Sequence, residues 1–290
     1  MANRGTEGSS TYAGHALDDP ARPLLISVPH AGRDYPPSLL ARSRVSPAVL
    51  QRLEDRYVDL LARGAIAAGF SCIVARRPRA WIDLNRSTRE IDVAMVDGLS
   101  AEEVDPPNGK VRGGLGLVPR WLGNGGELWR DRLMRAELDQ RIARDHQPYH
   151  RRIADVLAAM TARFGGAVLL DLHSMPSLRF PTVGAPQIVV GDRFGRSAST
   201  RYASLVAEQA LGLEAALNHP YPGGYILERH GAPAANIHAL QLEIDRTLYL
   251  DPSAREPVAG AVADMSDWVL GVAEQLEREL IGRAWLNAAE

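Results

Sequence analysis

The 290-residue sequence holds one cysteine, Cys72, which excludes an internal disulfide framework and any metal site built from several thiolates. A metal bound by this chain must therefore rest on histidine and carboxylate. No uninterrupted apolar stretch approaches the ~18–20 residues needed to span a bilayer, and the start lacks a charged-then-apolar signal pattern. A basic excess is missing too. The 33 Lys and Arg face 35 Asp and Glu, a net charge of −2 with the signs mixed, which argues against nucleic acid and anionic membranes as partners. These absences lead us to expect a soluble chain in a reducing compartment, the cytoplasm. No repeat or internal linker is visible.

What is present is an alternation of short apolar runs with longer amphipathic ones. Residues 24–28, 71–76, 80–85, 167–173, 187–192 and 238–245 are rich in Val, Ile and Leu and read as strands. Residues 46–69 have helix chemistry, with Ser46 as N-cap, Pro47 at the first helical position and Gly69 as a stop. Further helices are expected at about 128–144, 148–163, 196–211 and 258–283. Strands separated by helices predict an α/β fold, a three-layer αβα arrangement around a mainly parallel, mixed sheet. Residues 1–21 read as a flexible tail and 22–290 as a single domain. The Gly/Pro-rich stretch 87–127 is too long for an ordinary connection and is the candidate lid.

Two apolar runs end on histidine: LLISVPH on His30 and VLLDLH on His173. In an open α/β sheet, ligands collect beyond the carboxyl ends of the strands, so both imidazoles can face one crevice. A catalytic zinc needs a third protein ligand, here a carboxylate. EDRYVD supplies Glu54, Asp55 and Asp59; on a helix Asp55 and Asp59 share a face. Spacing alone fits a solvated face beside Arg52 and Arg56 as well, and does not choose among the three. After the third expected strand, Asn85 and Arg86 are suited to clamping a carboxylate, or Arg86 to pairing with Asp83 or Glu90. In QLEID, Gln241, Glu243 and Asp245 alternate with Leu242 and Ile244. A glutamate on such a face seeks a partner or a proton, as a general base would. Gly223 and Gly224 precede Tyr225, Arg229 and His230 in a stretch that reads as a closing loop or a turn.

Taken together, SVPHAG (27–32), DRYVDLL (55–61), AWIDLNR (80–86), GGLGLVPR (113–120), PYHRRI (148–153), LLDLHS (169–174), HPYPGGYILERHGAP and HALQLEIDRTLYLD (within 219–251) resemble the N-formylglutamate amidohydrolase family. That family is similar in fold and metal site to the zinc carboxypeptidases and aspartoacylases, of the zinc-exopeptidase type. Each stretch is weak alone, and their order along almost the whole chain is specific. The resemblance implies zinc, or another divalent metal that N/O donors accept, held by His30, His173 and, as third ligand, Asp55. It implies that Glu243 activates the attacking water, that Asn85 and Arg86 hold a substrate carboxylate, and that Arg246 holds a second carboxylate or the oxyanion. Tyr225 and His230 are expected on the substrate side. Two positions depart from the pattern, Ala31 where the family often has serine and Arg56 where it commonly has tryptophan; neither removes a ligand. The implied activity is hydrolysis of a small N-formyl or N-acyl amino acid. A carboxypeptidase- or esterase-like metallohydrolase and a non-catalytic carboxylate-binding protein are the alternatives.

Overall fold

The computed structural model describes residues 11–123, 126–178, 184–210 and 212–287. The first ten residues of the expected tail, residues 124–125 of the expected lid and residue 211 lie outside them. Among the described residues the strands are β1 (Tyr12–His15), β2 (Leu24–Val28), β3 (Ser71–Ala75), β4 (Val96–Asp97), β5 (Leu133–Met134), β6 (Ala167–Met175), β7 (Ile188–Gly191), β8 (Ala215–Leu217) and β9 (Ile237–Asp245). Seven of them form one sheet in the order β1-β3-β2-β6-β9-β7-β8. Strands β3, β2, β6 and β9 are parallel, while β1 and β7 join them antiparallel. The expected mixed, mainly parallel αβα fold is the one observed.

Period-2 alternation divides the sheet between two cores. On one face Ile26, Val168, Leu170, Leu172, Leu240, Leu242 and Ile244 pack against Val269, Val272 and Leu276 of the helix Ala259–Asn287. On the other, Leu25, Ile73, Leu169 and Ala239 meet Tyr149, Ile153, Val156 and Met160 of the helix Gln147–Phe164. The second face stays apolar only in its lower half. Toward the carboxyl ends of the strands it carries Ser27, Asp171, His173, Gln241 and Glu243, all buried.

Four expectations change in detail, each for a physical reason. Tyr12–His15, placed in the loose tail, is an edge strand registered on Cys72–Ala75. Residues 80–85 are not a strand, because the backbone N–H of Asp83 donates to Leu117 O (2.8 Å) and that of Asn85 to the Asp83 carboxylate (2.8 Å). The helices expected at 128–144 and 148–163 are continuous from Arg135 to Phe164 through a π-turn at Ile142–His146, where Gln147 N donates to Ile142 O. Pro148, lacking an N–H, fits beside that break in the ladder. The helix expected over 46–69 is interrupted: Glu54 is extended and Tyr57 adopts φ 60°.

The loop after β2 runs so close to the segment after β3 that a Cβ on Gly32 would lie 2.0 Å from Arg77 O. Gly32→Ala must push this backbone apart. We expect it to cost about 1–3 kcal/mol, as overpacking does, and to lower the thermal midpoint. An unchanged midpoint would show that the crossing is not tight in solution.

Candidate metal centre and its cavity

The interruption in the expected helix is what delivers the third acidic group. Asp55 N donates to His30 O (3.0 Å), which ties the turn to the end of β2. Glu54 turns the other way, accepting from Tyr35 Oη (2.5 Å) and Arg56 Nη1 (3.1 Å). Asp59 accepts two bonds from Arg33 at 2.8 Å. Of the three carboxylates left open by spacing, Asp55 alone reaches the histidines. Its Oδ2 lies 2.9 Å from His173 Nδ1 and 3.4 Å from His30 Nδ1.

One donor atom from each of His30, Asp55 and His173 lies within 4.8 Å of the others, and all three residues are buried. Both imidazoles use the opposite nitrogen to hold a second, fully buried carboxylate. His30 Nε2 pairs with Asp83 (2.8 Å) and His173 Nε2 with Asp171 (2.7 Å). Those bonds fix the ring orientations, the arrangement that accompanies metal-ligating histidines. Asp171 is fixed in turn by Ser27 Oγ (2.8 Å), its register neighbour on β2. His30 Nδ1 is buried without a hydrogen-bond partner. A buried imidazole nitrogen aimed at a carboxylate and a second imidazole, with no bond of its own, is the donor set that a divalent cation fits.

The electrostatics agree. Burial raises the Asp55 carboxyl, but the hydrogen bond from His173 and the attraction of both nearby imidazoles outweigh it and hold the group well below its ordinary range. Burial alone would depress His173, yet Asp171 and Asp55 keep that imidazole well above its usual value. A cation held at Nδ1 would replace the proton those carboxylates demand.

Glu243 stands beside the centre because β6 and β9 pair His173 with Glu243 in register. Burial, with Asp55 adding to it, pushes the Glu243 carboxyl above its ordinary value against the opposing pull of His173 and His30. Gln241 Nε2 donates to its Oε1 (2.9 Å).

These groups open into a cavity of about 250 Å³. Its wall includes His30, Asp55, Asn85, Arg86, His173, Glu243 and Arg246, together with Arg52, Arg79, Lys110 and Tyr221, which sequence reasoning did not select. Asn85 is heavily engaged: Oδ1 accepts from Ile226 N (2.8 Å) and Nδ2 donates to Gln241 Oε1 (3.2 Å). Arg246 acts on the ligand turn, with Nη2 donating to Glu54 O (2.6 Å) and Asp55 Oδ1 (3.2 Å). Arg79 is anchored through Nε to Asp83 (2.8 Å). Lys110, Leu115 and Leu122, from the described part of the stretch expected as a lid, line the cavity.

Tyr225 and His230, expected on the substrate side, follow the lining residues Gly223 and Gly224 but are not themselves among the residues that line this cavity. His230 Nε2 lies 2.9 Å from His150 Nδ1, and Tyr225 packs on His146 and His150. Burial, then Arg229 and His146, pushes His230 down to about 3, so the group is neutral. His150 Nε2 and His146 Nε2 donate to Leu84 O (2.9 Å) and Arg86 O (2.8 Å). Two buried imidazoles thus clamp the backbone on either side of Asn85.

If Asp83 and Asp171 orient the imidazoles, Asp83→Asn or Asp171→Asn should weaken divalent-metal affinity about 10–100-fold, the usual cost of losing such a partner. Competition against a chromogenic chelator measures this. Wild-type affinity in both variants would show that the two carboxylates serve packing alone.

The comparisons with known proteins follow the same lines. The N-formylglutamate amidohydrolase family model matches residues 22–250. A protein of Pseudomonas aeruginosa named N-formylglutamate deformylase is 30% identical over 271 residues, spanning 91% of this chain and 93% of the relative. One from Pseudomonas putida with the same name is 30% identical over 244 residues, 79% of this chain and 82% of the relative. Among solved structures, the N-formylglutamate amidohydrolase from Ralstonia eutropha superposes with a TM-score of 0.83 at 30% identity, covering 93% of this chain and 99% of that one. A buried pair of inward-facing histidines, a fold shared over nearly its whole length and a family match across most of its residues lead to one statement: the chain belongs to the N-formylglutamate amidohydrolase family.

Proposed function

We propose that the chain is a metal-dependent amide hydrolase that removes the formyl group from an N-formyl amino acid, with N-formylglutamate as the leading substrate. One observation carries the reading. The Nδ1 atoms of His30 and His173 converge on Asp55, and Glu243 is the register partner of His173 on the neighbouring strand. The names and coverage of the two Pseudomonas relatives support the reaction class.

Zinc, held by His30, His173 and Asp55, would supply Lewis acidity and lower the pKa of a water from 15.7 toward ~7. Glu243 takes the proton of that attacking water and returns it to the departing amine. Its burial keeps bulk water from competing for the proton. Arg79, fixed by Asp83 at Nε, makes no further hydrogen bond to the described residues through its Nη groups, which suits it to the oxygen of the tetrahedral intermediate. One such donor is commonly worth ~3–4 kcal/mol. Arg86, buried and lining the same cavity, is the candidate for the substrate's α-carboxylate. Asn85 and Arg246 work from behind, the first bracing the helix Tyr225–His230, the second the ligand turn.

Formate release from N-formyl-L-glutamate tests the assignment. The expected results are activity abolished by chelation and restored by zinc, and a kcat lowered ~10²–10⁴-fold in Glu243→Gln, the range spanned by general acid–base catalysis. Hydrolysis indifferent to chelation, or undiminished in that variant, would reject the mechanism. A second expectation concerns Arg79. Arg79→Met should lower kcat more than it raises KM, since a donor aimed at the oxyanion acts in the transition state. A loss confined to KM would reassign Arg79 to ground-state binding.

A further inference from the structure

Five cations line the cavity: Arg52, Arg79, Arg86, Lys110 and Arg246. Three have acidic neighbours, Arg79 and Arg86 through Asp83 and Arg246 through Asp55. Lys110 differs. Its ammonium forms no hydrogen bond or ion pair with the described residues and lies 5.4 Å from the ring centroid of Tyr221, another cavity residue. It belongs to the short helix Gly109–Arg112, whose start is fixed by Asn108 Oδ1 accepting from Lys110 N (2.9 Å) and Val111 N (3.0 Å). Asn108 is itself held by Glu90 (2.6 Å), so the lysine backbone is anchored while its side chain, exposed, lines the cavity beside Tyr221. Leu115 and Leu122 of the same segment give the wall an apolar surface beside it.

We infer that Lys110 reads the distal, side-chain carboxylate of the substrate, and so sets the preference for an acidic N-formyl amino acid over a neutral one. This rests on the hydrolase reading above and extends it to a residue of the lid. The reasons are its position and its lack of an acidic partner. Arg79 and Arg86 stand beside Asp83, whereas Lys110 lies one step along the cavity wall, on the segment whose Leu115 O accepts from Arg86 Nε (3.1 Å) and whose Leu115 N donates to Lys110 O (2.9 Å). A substrate whose formyl group lies at the metal centre and whose α-carboxylate meets Arg86 presents its second carboxylate away from both. An ammonium over a tyrosine face is a point charge with three rotatable donors, free to pair with an anion that arrives. Burial, then repulsion from Arg86 and Arg79, lowers the Lys110 pKa from its ordinary value. An incoming carboxylate relieves that repulsion.

The test compares formate release from N-formyl-L-glutamate and its neutral isostere N-formyl-L-glutamine in wild type, Lys110→Met and Lys110→Arg. The preference for the glutamate substrate, as a ratio of kcat/KM values, should fall ~10–100-fold in Lys110→Met, the range for losing one charge-assisted hydrogen bond. The loss should reside in KM, because the contact is made in ground and transition state alike. Lys110→Arg should recover most of the preference. An unchanged ratio in Lys110→Met, or a wild type with no preference between the two substrates, overturns the role of Lys110 while leaving N-formyl hydrolysis standing. A wild-type protein, metal-loaded, that releases formate from neither substrate removes the reading beneath, and the inference falls with it.

Discussion

The site depends on one constraint: two carboxylates with no solvent exposure, Asp83 and Asp171, must be compensated inside the protein. A buried uncompensated charge costs several kcal/mol. Each is met by the Nε2 of an imidazole, and that choice dictates that Nδ1 of His30 and of His173 faces the opposite way, toward Asp55. The histidines are therefore positioned less by their own packing than by the acids behind them. With Asp55 and Glu243 also buried, the centre gathers four carboxylates around two imidazoles, and Arg79, Arg86 and Arg246 stand at its edge. A divalent cation at the unpartnered His30 Nδ1 would complete that balance.

The fold supplies this arrangement cheaply. Adjacent parallel strands place equivalent residues side by side, so Ser27 meets Asp171, Asp171 meets Gln241, and His173 meets Glu243. His173, Asp171 and Glu243 thus come from two neighbouring strands, β6 and β9, without a special loop. His30, in the turn just after β2, and Asp55 and Asp83 come from irregular backbone, the last two from segments expected to be regular. For both, the segment gives up regular structure so that its backbone and side chain can serve the site. Local propensity yields to function at the turn over 54–57.

That is also where the sequence was hardest to read. His30, His173 and Glu243 were legible because strand periodicity exposes an imidazole or carboxylate at the end of an apolar run. The layered α/β architecture was legible for the same reason. Asp55 was selected through the family resemblance, since the apolar spacing of 46–69 describes a helix and says nothing of a turn pulled open by His30, Tyr35 and Arg246. Asp171 carried a signal that was not used: a carboxylate inside an otherwise apolar strand, two residues before a strand-end histidine, needs a buried partner. Arg79 and Lys110 had no such signal, because they meet the cavity only through the path of the chain around it. Tyr225 and His230 were chosen from a Gly-rich turn. Their side chains instead join His146 and His150 in a neutral cluster that holds the backbone around Asn85.

The metal centre is the claim on which the catalytic account stands, and anomalous diffraction from zinc-soaked crystals addresses it most directly. The account predicts a single ion bonded by Nδ1 of His30, Nδ1 of His173 and the Asp55 carboxylate at ~2.0–2.2 Å, with both Nε2 atoms still on Asp83 and Asp171. An ion elsewhere, or one bonded through Nε2 with those acid pairs broken, would contradict it.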